Sequence, residues 1–110
     1  VMAEMPLGQG FLDLAKMISL IQQARPATHV TLEMITREPL VIPCLTDKYW
    51  ITFPERNGVY LARTLTLVSQ ETGHGKPLPN LAPLSTEERL KREDENVKLS
   101  LDYARERLHV

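Results

Sequence analysis

Glu33 is the residue whose setting most clearly calls for chemistry. It lies in residues 29–35 (HVTLEMI), a run of β-branched and apolar side chains. A carboxylate buried in an apolar strand is costly unless a cation or several hydrogen-bond donors offset its charge. A divalent metal is one such cation. Oxygen ligation suits Mg²⁺ or Mn²⁺, and an imidazole in the same ligand set extends the choice to Zn²⁺ or Co²⁺. Two plainer roles remain open for Glu33: an exposed carboxylate on an edge strand, or an ion pair with an arginine. Arg37 follows just past the strand, where its guanidinium fork could hold a substrate phosphate or carboxylate. A salt bridge to Glu38 or another surface acid is the alternative for Arg37.

The other reactive side chains read as structural. His29 begins the strand, at the end away from the expected chemistry. His74 lies between two glycines and His109 next to the last residue, and neither has a second ligand at useful spacing, so both are expected in solvent. Cys44, flanked by Pro43 and Leu45 with no base nearby in sequence, reads as a buried thiol rather than a nucleophile.

Composition narrows the field. The chain has 110 residues, 43% of them hydrophobic, enough for one small globular domain. Its 13 Lys+Arg and 14 Asp+Glu give a net charge of −1, so there is no bulk attraction to nucleic acid or to anionic membranes. A single cysteine excludes an internal disulfide and fits a reducing, cytoplasmic compartment. No apolar run approaches the roughly 20 residues that span a bilayer.

The elements that would position Glu33 follow from periodicity. Residues 1–10 carry Pro6, Gly8 and Gly10 and read as a loop. Leu14, Met17, Ile18 and Ile21 predict a helix of about three turns, capped by Asp13 and ended at Arg25-Pro26. Residues 29–35 are then a strand. Alternation places Val30, Leu32 and Met34 on one face and His29, Thr31, Glu33 and Ile35 on the other. Residues 36–58 hold Pro39, Pro43 and Pro54 and form an extended loop, with a short helix near Asp47–Trp50 and a short extended piece at 40–42.

Leu61, Leu65 and Val68 predict a helix over 59–69, stopped by Thr72-Gly73-His74-Gly75, and 76–83 is a proline-rich connector. Ser85-Thr86-Glu87-Glu88 has the form of a capping box. The long helix it starts has an apolar stripe of Leu90, Val97, Leu101, Ala104 and Leu108, and its many charges read as a solvated face.

One strand cannot satisfy its own backbone, so the chain must borrow partners: it ends a longer polypeptide, or the strand pairs in another chain, or further strands lie hidden in it. The order loop, helix, strand, loop, helix is what the end of an α/β barrel gives. Val30, Leu32 and Met34 would then face outward, and Glu33 inward at the C-terminal end of the strand. Without the missing strands, exposed apolar surface and poor stability are expected.

Pro6-Leu7-Gly8-Gln9-Gly10-Phe11-Leu12-Asp13, a helix, and Val30-Thr31-Leu32-Glu33 together resemble the closing segment of the xylose isomerase-like TIM barrels. That family includes sugar-phosphate isomerases and epimerases and the endonuclease IV group. Gly8, Gly10 and Asp13 match its G-x-G-x-x-D loop, and Glu33 matches the metal-binding glutamate that ends its last strand. From Thr36 onward, TREPLVIPCLTDKYWITFP and ENVKLSLDYARERL are similar to sugar isomerase-like proteins of unassigned substrate.

The resemblance implies an α/β fold, the C-terminal portion of a TIM (β/α)8 barrel. Residues 1–35 would be its last loop, helix and strand, and 36–110 a loop and C-terminal helices. It implies a divalent metal (Mn, Mg, Co or Zn) with Glu33 as one ligand, and a glutamate, an aspartate and a histidine supplied by earlier strands. The ion would stabilise the enediolate formed from a sugar or sugar phosphate, Glu33 would also move a proton, and Arg37 would bind the substrate. Lys48, Tyr49, Trp50 and Phe53 would cover the barrel mouth, meet a partner subunit, or pack on the barrel exterior. The partners implied are the substrate and the rest of the barrel or another chain, with homo-oligomerisation open. Two other functions compete: a DNA-repair endonuclease, which the near-neutral charge argues against, and a non-catalytic binding or oligomerisation module.

Overall fold

In the computed structural model, which describes residues 1–53, 55, 58–71 and 77–110, helices begin where a side chain can take up free N–H groups. Asp13 Oδ1 accepts from the Lys16 N–H at 3.0 Å and starts α1, Leu14–Ala24. The Arg25 N–H closes that helix on the Ile21 carbonyl, and Pro26 follows with no N–H to continue it. A single 3-10 turn spans Asp47–Trp50. The second long helix, α2, runs Gly58–Glu71 and buries none of its residues. Its predicted stop at Thr72, Gly73, His74 and Gly75 lies outside the described residues, as do Pro54 and Lys76 of the adjoining connectors.

The third helix, α3, spans Thr86–Tyr103 and starts on the full capping box. The Glu88 N–H donates to Ser85 Oγ at 3.3 Å, and the Ser85 N–H donates to Glu88 Oε2 at 2.7 Å. The helix widens into a π turn, Ala104–Leu108, and His109 ends it in the left-handed region with φ 56°.

The expected α/β fold is not formed. Among the described residues there is no β-strand and no barrel layer; the only sheet-like pairing is an antiparallel bridge between Met2 and Leu40, at 2.8 and 2.7 Å. The fold is a small helical one. The physical reason lies in the hydrogen bonds: among the described residues the backbone of 29–35 pairs with no other segment, so no ladder forms. The periodicity survives even so. Leu32 and Met34 are half-buried while Thr31, Glu33 and Ile35 are exposed, as an extended chain requires. Val30 departs from the predicted face, being 48% exposed. Glu33 points to solvent rather than into a barrel.

The predicted stripe of α3 is covered in part: Leu108 is buried and Val97 and Ala104 are half-buried, whereas Leu90 and Leu101 are exposed. Leu81, Pro6 and Ser100, outside the stripe, are buried as well. Ser100 is completely enclosed; its hydroxyl donates to the Asn96 carbonyl at 2.8 Å and accepts from the Leu7 N–H at 3.2 Å. The neighbouring Gly8 has φ 78°, and a Cβ there would lie 2.1 Å from the Tyr103 ring. Gly10 has open space around it.

Little apolar surface is covered in total. The accessible area is 9085 Å², against roughly 6200 Å² for a folded monomer of this mass. The Cα radius of gyration is 16.6 Å, against about 13 Å for a compact chain of this length. Phe11, Leu12, Met17 and Leu20 are exposed on and beside α1, and Leu45, Ile51 and Phe53 around the 3-10 turn.

Two outcomes follow for folding. Gly8→Ala should destabilise by at least the about 1–3 kcal/mol of a strained left-handed residue, while Gly10→Ala should be near neutral; denaturant melts of the two variants check this. The Glu88 carboxyl is held below the usual carboxylate range by hydrogen bonding to the Ser85 backbone and then its side chain. A depressed carboxyl contributes stability above its unfolded pKa and loses it as pH falls through the folded one. Helicity of α3 should therefore hold above about pH 4.3 and fray below it, an effect that circular dichroism should find reduced in Ser85→Ala.

Candidate functional site

The side chains on one face of α3 determine where a site can form. Glu93, Asn96, Ser100 and Tyr103 recur at helical spacing, and each meets an irregular segment. Glu93 Oε2 accepts from the Thr36 N–H at 2.9 Å. Asn96 Nδ2 donates to Thr36 Oγ1 at 3.0 Å. Ser100 takes the Leu7 N–H, and Tyr103 lies under Gly8. A further acid, Glu38, accepts from the Leu81 N–H at 2.6 Å and draws the 77–84 segment in. Most charges of this helix form the expected solvated face, but Glu93 holds the extended segment.

Between these segments lies a cleft of about 420 Å³. Its polar lining includes Glu4, Thr36, Arg37, Arg92 and Asn96, and its apolar wall includes Leu81, Leu84 and Leu99. Arg37 enters it and pairs through Nη2 with Glu4 Oε1, so the ion pair runs to Glu4 and not to Glu38. The other Glu4 oxygen, Oε2, is buried and has no hydrogen-bond partner among the described residues. Arg92 Nε is 3.7 Å from Glu95, both side chains at least half exposed.

Glu33 does not line this cleft. It is exposed, and no hydrogen bond or ion pair to it is found among the described residues. Nor do the described residues contain three or more His, Cys, Asp or Glu side chains grouped so as to hold a metal. A lone carboxylate does not fit a divalent ion, which takes several ligands, so these residues do not form a metal centre by themselves. His29 and His109 are exposed, Cys44 is half-buried, and His74 lies outside the described residues.

The aromatic residues do not cover a barrel mouth, since the described residues form no barrel. Tyr49, Trp50 and Phe53 pack on one another, with ring centroids 5.0–5.8 Å apart. Trp50 Nε1 donates to the Cys44 carbonyl at 2.8 Å.

Comparison with family models, curated proteins and solved structures finds no significant match. No helix among the described residues is long and apolar enough to cross a membrane.

Sequence reasoning missed Glu4, Arg92, Glu93 and Asn96. For the last two a signal existed, since polar residues spaced along one helix face beside the enclosed Ser100 form a stripe. Glu4 carried none, because its partner Arg37 is distant in sequence. Glu93→Ala should leave the Thr36 N–H without its acceptor and cost about 1–3 kcal/mol, whereas Glu93→Gln retains an acceptor and should cost less. Equal losses in urea unfolding would show that Glu93 does not act through this bond.

Proposed function

We propose that this chain is an incomplete part of a metal-dependent isomerase or epimerase that acts on a sugar or sugar phosphate by proton transfer next to a carbonyl. The observation that carries the reading is one of sequence: Glu33 stands where the family it resembles keeps its metal-binding glutamate, and its carboxylate is exposed to solvent. The resemblance of the surrounding residues to the isomerase and epimerase family supports it, as does the large apolar surface left for other elements to cover.

In this reading the metal, one of Mn, Mg, Co or Zn, is bound mainly by groups outside this chain, with Glu33 as one ligand. Glu33 would also take part in moving the proton that leaves the carbon beside the substrate carbonyl, together with a second carboxylate across the substrate supplied from outside this chain. Arg37 holds the anionic end of the substrate.

A second reading, a non-catalytic binding or oligomerisation module, is favoured by the self-packed aromatic residues and the exposed Leu45, Ile51 and Phe53 beside them. A homo-oligomer would cover the same surface. The near-neutral charge gives no support to a DNA-repair endonuclease.

Glu33→Gln keeps the shape of the side chain and removes its charge. In the native gene product it should abolish retention of the divalent metal, read by elemental analysis, and sugar-phosphate isomerisation with it, while the circular dichroism spectrum stays unchanged. Unaltered metal content in the variant would sink the isomerase reading, and an intact protein without metal or turnover would leave the binding module.

A further inference from the structure

We infer that residues 29–35 pair with the same residues of a second copy of this chain, as two antiparallel strands related by a two-fold axis at Leu32. The ladder forms between chains and adds no sheet within one. It needs neither a metal nor the aromatic turn, so it rests on neither reading given above.

The backbone is the first support. Among the described residues no N–H or C=O group of 29–35 is hydrogen-bonded to another part of the chain, and His29, Val30, Thr31, Glu33 and Ile35 are exposed. Such a segment presents a row of donors and acceptors to another chain, the contact by which strands add across a molecular boundary. Its side chains favour that state over solvation by water. Val30, Thr31 and Ile35 are β-branched, and 29–35 contains no glycine or proline. Pro26 and Pro39 bound the stretch, because each lacks the donor a ladder needs. An isolated pair of strands is marginal in water unless one face is packed. Leu32 and Met34 are half-buried within the single chain, so that face is seated before the copies meet.

The side-chain pattern selects a second copy and the direction. Antiparallel pairing about Leu32 sets Val30 opposite the partner's Met34 and Leu32 opposite the partner's Leu32, which makes one face apolar throughout. On the other face His29 meets the partner's Ile35, and Thr31 meets the partner's Glu33. The two carboxylates are kept apart, each opposite a hydroxyl that can donate to it and diagonal to an imidazole. Parallel pairing in register would instead place Glu33 on Glu33, which like charge disfavours. Both copies use the same edge, so the contact closes at two. The Glu33 side chain stays on the open face of the pair.

Sedimentation equilibrium of the full 110-residue chain should show a monomer–dimer equilibrium. Hydrogen exchange followed against chain concentration should show alternate amides of 29–35 gaining protection as the dimer forms, since successive N–H groups of a strand point to opposite edges. Thr31→Glu places a carboxylate opposite the partner's Glu33 at two symmetric positions and should weaken the dimer by roughly two- to thirtyfold. Thr31→Lys should be tighter than Thr31→Glu by at least that factor. Gln22→Glu and Gln22→Lys make the same changes of net charge at an exposed position of α1 and should leave the equilibrium as it is. A chain that stays monomeric, a dimer whose 29–35 amides remain unprotected, growth into larger assemblies, or equal affinities for Thr31→Glu and Thr31→Lys would each overturn the pairing. None of these measurements reads metal content or turnover, so their failure leaves the isomerase reading as it stood.

Discussion

Hydrogen bonds from one face of α3 to the irregular backbone around it are what the rest of this structure depends on. Much of the chain outside the helices is extended or turning, and such backbone carries N–H groups that no ladder satisfies. Glu93 and Ser100 accept from two of them, Asn96 holds the Thr36 hydroxyl, and Tyr103 closes over Gly8. Because Ser100 is fully enclosed, its bond to Leu7 joins the N-terminal loop to the helix near the centre of the packing. A residue with more volume at Gly8, or none of these acceptors at 93 and 100, would separate the segments that form the cleft.

This polar way of joining segments explains why so little apolar surface is covered. A hydrogen bond holds a segment at one point and brings few carbon atoms together, whereas helix-on-helix or sheet-on-helix packing buries whole faces. Here α1 meets the π turn at the end of α3, but neither α1 nor α2 buries a residue. The apolar stripes that the periodicity marks on those helices are present and largely uncovered. Exposed apolar side chains therefore lie on and beside both helices. The proposal of an incomplete enzyme part and that of a binding module share this root, and they differ in whether Glu33 joins groups from elsewhere.

Local features were legible in the sequence because their causes are local. The Asp13 cap, the Ser85 to Glu88 box, the break at Pro26 and the 3-10 turn at Asp47–Trp50 all depend on residues a few positions apart. The alternation of 31–35 was legible for the same reason, since it needs only an extended backbone. The sheet was not. A strand is defined by its neighbours, and an apolar, β-branched run states a preference without supplying the partner. Inferring a barrel from that run, and an inward Glu33 from the barrel, carried a local preference across a distance at which only pairing decides.

By itself, then, the sequence determined where helices start, which residues alternate, that one cysteine forms no internal disulfide, and that charge is nearly balanced. The tertiary structure alone decided that Glu4 reaches Arg37, that Glu93 and Asn96 hold Thr36, and that Glu33 stays in solvent. The first two are contacts between residues more than thirty positions apart. Their existence depends on how the irregular segments fold back onto α3, and that path is set by the sum of many weak bonds rather than by a pattern in any one segment.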